Sequence, residues 1–156
     1  MISITRYEEK YQPAFKKLNL EWLDKYGLTE PYDIEILEDP QGTILDKGGH
    51  LFIAVDGESA VGTAGLARIN GSEYELVKMS VDPAYRGLGI GKQLLQQCVD
   101  VAKGLGAEKI SLFSNSQLQS ALDLYKQFGF YHVEVIDSPM LTADVKMELS
   151  LNNNLS

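Results

Sequence analysis

The stretch Val77 to Leu95, VKMSVDPAYRGLGIGKQLL, constrains the fold more than any other, because a strand-like run passes through a glycine-rich turn straight into an amphipathic helix. Val77, Met79 and Val81 alternate with Lys78 and Ser80, the period-two signal of a strand. Pro83 then removes a ladder donor and ends it. Gly87, Gly89 and Gly91 follow. Without a Cβ the chain there can curl through positive φ and turn several N–H groups to one point, at the positive end of the next helix. That arrangement suits an anion, and a diphosphate above all.

The spacing narrows the choice. The phrase R-G-L-G-I-G lacks the Lys-Ser/Thr ending of a P-loop, and its G-x-G-x-G differs from the dinucleotide G-x-G-x-x-G. A second phrase, Ser120-Ala121-Leu122-Asp123-Leu124-Tyr125-Lys126-Gln127-Phe128-Gly129-Phe130, reads as a helix. Leu118, Ala121, Leu122, Tyr125 and Phe128 share one face, and Gly129 suits its C-terminal cap.

Together, Val81 through Arg86 and the three glycines to Leu94-Leu95, followed by A-x-x-x-Y-x-x-x-G-F, resemble the GNAT superfamily of N-acyltransferases over nearly the whole chain. The resemblance implies an α/β fold: a single GNAT-like domain over 1–150, whose mixed, mostly antiparallel sheet splays between the fourth and fifth strands and is flanked by helices. It implies acetyl-CoA as acyl donor, no metal, an amine as acceptor, and the option of a homodimer through the C-terminal strands. The pantetheine arm would take the place of a missing strand beside Met79, Ser80 and Val81. The N–H groups of Arg86, Gly87, Leu88, Gly89, Ile90, Gly91 and Lys92 would hold the pyrophosphate, and a side chain at Gly89 or Gly91 would obstruct it.

Site roles follow from the same resemblance. Tyr125 would lie against the cofactor and protonate the departing sulfur. Many family members carry Asn seven residues before that tyrosine; here the position is Leu118, and Asn115, ten residues before it, is the substitute ligand for the amide-bearing arm. A base must also relieve the amine of a proton. Glu75 is the first candidate, since unbroken strand parity would place it with Val77, Met79 and Val81. A bulge would shift that parity. His50 is the second, its ordinary pKa being nearer neutrality. His132 has no assigned role.

Composition sets the remaining bounds. With 156 residues and 44% hydrophobic content the chain can bury a core without metals or disulfides. Its one cysteine, Cys98, lies on the apolar side of the helix after the glycine turn and reads as a buried thiol. The net charge of −8 speaks against a nucleic-acid partner and suits a cationic substrate. Glu30, Asp33, Glu35, Glu38 and Asp39 form the densest acidic run, which reads by default as a solvated loop, with a short helix over 34–45 as the alternative; the resemblance puts this region near the acceptor mouth. No apolar run reaches membrane-span length, and MISITRYEEKYQ lacks a signal-peptide core, so a cytoplasmic protein without a membrane partner is expected. Residues 151–156, containing three consecutive asparagines, read as a frayed tail. An N-acetyltransferase acting by direct attack is therefore the leading expectation, with a non-catalytic acyl-CoA-binding sensor as its rival.

Overall fold

A computed structural model describes residues 1–136, 138 and 140–151. The chain order is β1 (Ile2–Arg6), α1 (Gln12–Lys25), α2 (Pro31–Glu38), β2 (His50–Asp56), β3 (Ser59–Arg68), β4 (Glu73–Val81), α3 (Ile90–Gly104), β5 (Lys109–Ser114), α4 (Gln119–Gln127), β6 (Tyr131–Val133) and β7 (Val145–Ser150). The strands form one sheet in the order β1-β2-β3-β4-β5-β7-β6. Every neighbouring pair is antiparallel except β4 and β5.

Local sequence explains most boundaries. The Asp56-Gly57 hairpin places Gly57 at φ +63°, where a glycine carries no steric cost. Along α3, Ile90, Leu94, Leu95, Cys98, Val99 and Ala102 are buried in one stripe. That stripe seats closely because β3 offers Gly62 beneath it, where a Cβ would come within 3.0 Å of Leu94 Cδ1.

The sheet separates two apolar layers. Phe52, Ala54, Tyr74, Leu76 and Ile110 pack with α3 and α4 on one face. Leu51, Ile53, Val55 and Val77 pack with Phe15, Ile36 and Leu37 from α1 and α2 on the other. The expected splay lies where the resemblance puts it: β4 pairs with β5 only through Glu73↔Lys109, Tyr74↔Ile110 and Glu75↔Ser111. Beyond that rung β4 runs on to Val81 with one edge open.

Three expectations change. The acidic run is not a loop: Pro31–Glu38 is a helix, and Asp33 within it is 1% exposed. The alternation of β4 is also broken. Thr63↔Ser80 and Gly65↔Val77 span two steps on β3 but three on β4, so β4 carries an extra residue, and Lys78 has φ +53°. As a result Met79 and Val81 pack with Tyr74 and Leu76 on the α3 face, while Val77 faces α1 and α2. Glu75 therefore shares a face with Val77, not with Met79 and Val81. Lastly, Leu151 belongs to the fold, with 8% exposure and its N–H donating to the Glu108 carbonyl at 2.8 Å. The rest of the expected tail, 152–156, lies outside the described residues.

Candidate active site

Where β4 and β5 part, a cleft opens in two chambers. The inner one, a cavity of about 100 Å³, is lined by Asn19, Tyr32, Asp33, Glu75, Lys78 and Asn115 among others. The outer one, about 480 Å³, follows β4 past Ser80 and Val81 to Arg86 and Gly87. Trp22, Met79, Leu118 and Tyr125 line both, so Tyr125 stands at the passage between them.

The glycine turn has the backbone geometry that suits an anion. Gly87 and Gly89 have φ +77° and +78°, and a Cβ on either would meet nothing within 4 Å. Gly89 caps the N-terminus of α3, whose first intrahelical bond runs from Gln93 N to the Gly89 carbonyl. Among the described residues the N–H groups of residues 87–92 have no backbone acceptor, as expected of a helix start. Arg86 differs from expectation, because its N–H already donates to the Pro83 carbonyl at 3.3 Å. Gly91 differs too: a Cβ there would meet Met79 Cε at 3.3 Å and Leu124 Cδ2 at 3.6 Å. Its small size lets the first turn of α3 lie against β4 and α4.

Glu75 is 8% exposed and carries a pKa pushed up to about 7. Burial is the main cause; Lys78 and Lys146 oppose it, and Glu73 adds to it. Tyr125, also 8% exposed, has its phenol pushed up to about 12 by burial, so it stays protonated at neutral pH. Its ring packs 5.8 Å from that of Phe130. Asn115 lines the inner chamber, but its Nδ2 donates to the Thr142 carbonyl at 2.7 Å and its Oδ1 accepts from Gln117 N at 3.0 Å. It fastens the segment before β7 as well as facing the cleft. Glu30 holds the same segment, accepting from Leu141 N at 2.8 Å and Thr142 N at 2.9 Å.

His50 is not brought to this place. Its ring lies 6.1 Å from that of Tyr74, on the α3 face of the sheet opposite Glu75. Burial, then Arg6, lowers its pKa. Cys98 is fully buried, with its thiol pushed up to about 12 by burial.

Several cleft residues escaped the sequence reading. Asp33 forms a buried ion pair with Lys78, and the Lys78 ammonium lies 5.8 Å from the centre of the Tyr32 ring. Asn19, 2% exposed, donates to the Phe15 carbonyl at 2.8 Å and to Thr63 Oγ1 at 3.0 Å. A polar residue one turn from buried Phe15, on the apolar side of α1, was the available signal. Asp33 was legible only as part of the acidic run, and its pairing with the distant Lys78 left no signal.

Comparison with known proteins points in one direction. The model of the Acetyltransferase (GNAT) family matches residues 9–130. The chain is 30% identical over 129 residues to the Escherichia coli protein named uncharacterized N-acetyltransferase YjgM, covering 78% of this chain and 77% of that one. A GNAT-family acetyltransferase structure from Staphylococcus aureus superposes with a TM-score of 0.89 at 26% identity, covering 97% of this chain and 99% of its own. The PaiA N-acetyltransferase of Thermoplasma acidophilum, solved in complex with coenzyme A, shares the fold with a TM-score of 0.78 at 18% identity, over 96% of this chain and 99% of that one. Among the described residues no helix is long and apolar enough to cross a membrane, and no group of His, Cys, Asp and Glu is arranged to hold a metal.

Proposed function

Since the chain belongs to the acetyltransferase (GNAT) family, we propose that it transfers an acetyl group from acetyl-CoA to a primary amine by direct attack. The observation that carries this reading is the open edge of β4, along which two chambers that share Trp22, Met79, Leu118 and Tyr125 extend from Glu75 to Arg86 and Gly87.

The chain's own groups fit such a donor. The free N–H groups of residues 87–92, at the positive end of a 15-residue helix, suit a pyrophosphate. The open edge at Met79, Ser80 and Val81 offers strand-like backbone partners to an amide-bearing arm. Asn115 borders the same path, with one amide hydrogen and one lone pair beyond its bonds to Thr142 and Gln117.

In the reaction an amine nitrogen bonds to the thioester carbonyl carbon, charge gathers on the carbonyl oxygen, and the carbon–sulfur bond breaks to release thiolate. An N–H near Met79 stabilises the oxyanion, a preorganised electrostatic contribution. Glu75 takes the amine's proton. For a lysine-like amine, transfer to a base near pKa 7 costs about 5 kcal/mol, and a carboxylate at the ordinary value would add about 3 kcal/mol more. Full proton transfer from Tyr125 at about 12 to a thiolate is uphill by roughly 5 kcal/mol in the empty cleft. Its phenol therefore serves first as a hydrogen-bond donor to the departing sulfur, with the proton following as the product forms.

The test is calorimetry of the protein with acetyl-CoA, using NAD as control, followed by thiol release across a panel of amines. The reading expects micromolar acetyl-CoA binding and amine-dependent release. Binding with no release from any amine would favour an acyl-CoA sensor.

A further inference from the structure

Lys78 is the one non-glycine residue with positive φ among the described residues. The left-handed region is strained for a residue with a Cβ, and such strain persists only where surrounding groups enforce it. Lys78 is held from both its side chain and its backbone. Its side chain is buried and its ammonium is paired with buried Asp33, which is itself fixed by accepting Glu30 N at 2.9 Å. Its carbonyl accepts from Thr63 Oγ1 at 2.8 Å. Thr63 is fully buried, and its hydroxyl oxygen accepts from Asn19 at 3.0 Å. Next along the strand, Ser80 Oγ donates to the Leu18 carbonyl of α1 at 3.1 Å. A short stretch of β4 is thus tied to α1, α2 and β3 where the strand's other edge is open.

We infer that Thr63, supported by Asn19, and the Asp33–Lys78 pair are positioning residues that aim the Met79 N–H into the cleft. The peptide between Lys78 and Met79 is trans and planar, so its C=O and N–H point in opposite directions. A hydroxyl that draws the Lys78 carbonyl towards β3 and α1 turns the Met79 N–H away from β3, to the unpaired edge. Asp33 acts on the same peptide by holding Lys78 in the left-handed conformation that turns it. This inference rests on the acetyl-transfer reading, in which that N–H meets the thioester carbonyl.

The test uses acetyl-CoA labelled with 13C at the acetyl carbonyl, bound to wild-type, Thr63→Val and Thr63→Ser proteins. Isotope-edited infrared spectroscopy reads the carbonyl stretch, and thiol release with a responsive amine gives kcat. Wild type should show a stretch below that of free acetyl-CoA. In Thr63→Val the stretch should return towards the free value and kcat should fall roughly ten- to hundredfold, with acetyl-CoA affinity unchanged. Thr63→Ser, which restores the hydroxyl, should recover both. A second pair isolates the backbone: Asp33→Asn combined with Lys78→Gly should keep the lowered stretch, because glycine accepts the left-handed region, whereas Asp33→Asn with Lys78→Ala should lose it. A wild type that binds and turns over beside an unaffected Thr63→Val, or equal behaviour of the two double variants, overturns the inference alone. A wild type that does not bind acetyl-CoA overturns the acetyl-transfer reading, and this inference with it.

Discussion

Glu75 stands opposite Ser111 on the last rung that joins β4 to β5. One side of this carboxylate is paired sheet and the other is open cleft, so a buried titratable group sits on a rigid strand at the point of divergence. Strand placement gives it the fixed geometry that a proton acceptor needs. Burial gives it the pKa.

A rising limb in the pH dependence of kcat/KM follows. With Glu75 at about 7 in the empty cleft, kcat/KM for the amine should climb as pH passes through that value, as the carboxyl loses its proton and becomes able to accept another. Glu75→Gln should lower kcat roughly a hundredfold or more and remove the limb. A limb that survives the substitution would assign it to another group.

Stability should move in the opposite direction. The folded pKa of Glu75 lies above the value of 4.5 expected without burial, so at low pH both states hold the proton and no penalty arises. Between about 4.5 and 7 the unfolded chain releases its proton while the folded chain keeps it, and stability falls as pH rises. Above 7 the loss is complete, at about 3 kcal/mol. Glu75→Gln should therefore melt like wild type near pH 4 and higher than wild type near pH 8. A melting difference that does not change with pH would contradict this.

Much of the frame was legible from local pattern, and the reasons are physical. Asp56-Gly57, the apolar stripe of α3 and the Gly129 cap each depend on residues close in sequence, so their periodicity and turn chemistry are read directly. The bulge in β4 depends on partners that are not close. Val77, Met79 and Val81 alternate like an unbroken strand, and nothing near them reveals that Asp33 and Thr63 hold Lys78 in a left-handed turn. The same distant pairing explains why an acidic run that reads as solvated contains a buried aspartate. The residue number of Glu75 came from the family resemblance; the face it occupies came only from the bulge.

The cradle's glycines should separate by what their Cβ would meet. Gly89→Ala puts a side chain in open space at φ +78°, so the fold should lose only roughly 1–2 kcal/mol of stability. Acetyl-CoA binding should weaken about tenfold or more as the amides lose their aim at a charged group. Gly91→Ala lies within α3, where the flexible end of Met79 need yield only a few tenths of an ångström, so it should disturb binding less. Calorimetry and thermal melts of the two variants check the order; equal losses of affinity would contradict it.

Tyr125→Phe removes one oxygen and keeps the ring against Phe130. Acetyl-CoA affinity should be unchanged, while kcat falls roughly a hundredfold, the usual scale for a group that assists a leaving atom. Thiols that leave more readily should suffer less. A variant that binds and turns over like wild type would place the phenol outside the chemistry.

The central claim, that an acyl-CoA lies along the open edge of β4 with its phosphates on the glycine turn, is tested most directly by following backbone amide resonances as coenzyme A is added. The largest shifts should fall on residues 87–92 and on Met79 and Val81, with Ser111 and the residues preceding Glu75 on β4 little changed. Shifts concentrated elsewhere, or none at saturating coenzyme A, would contradict it.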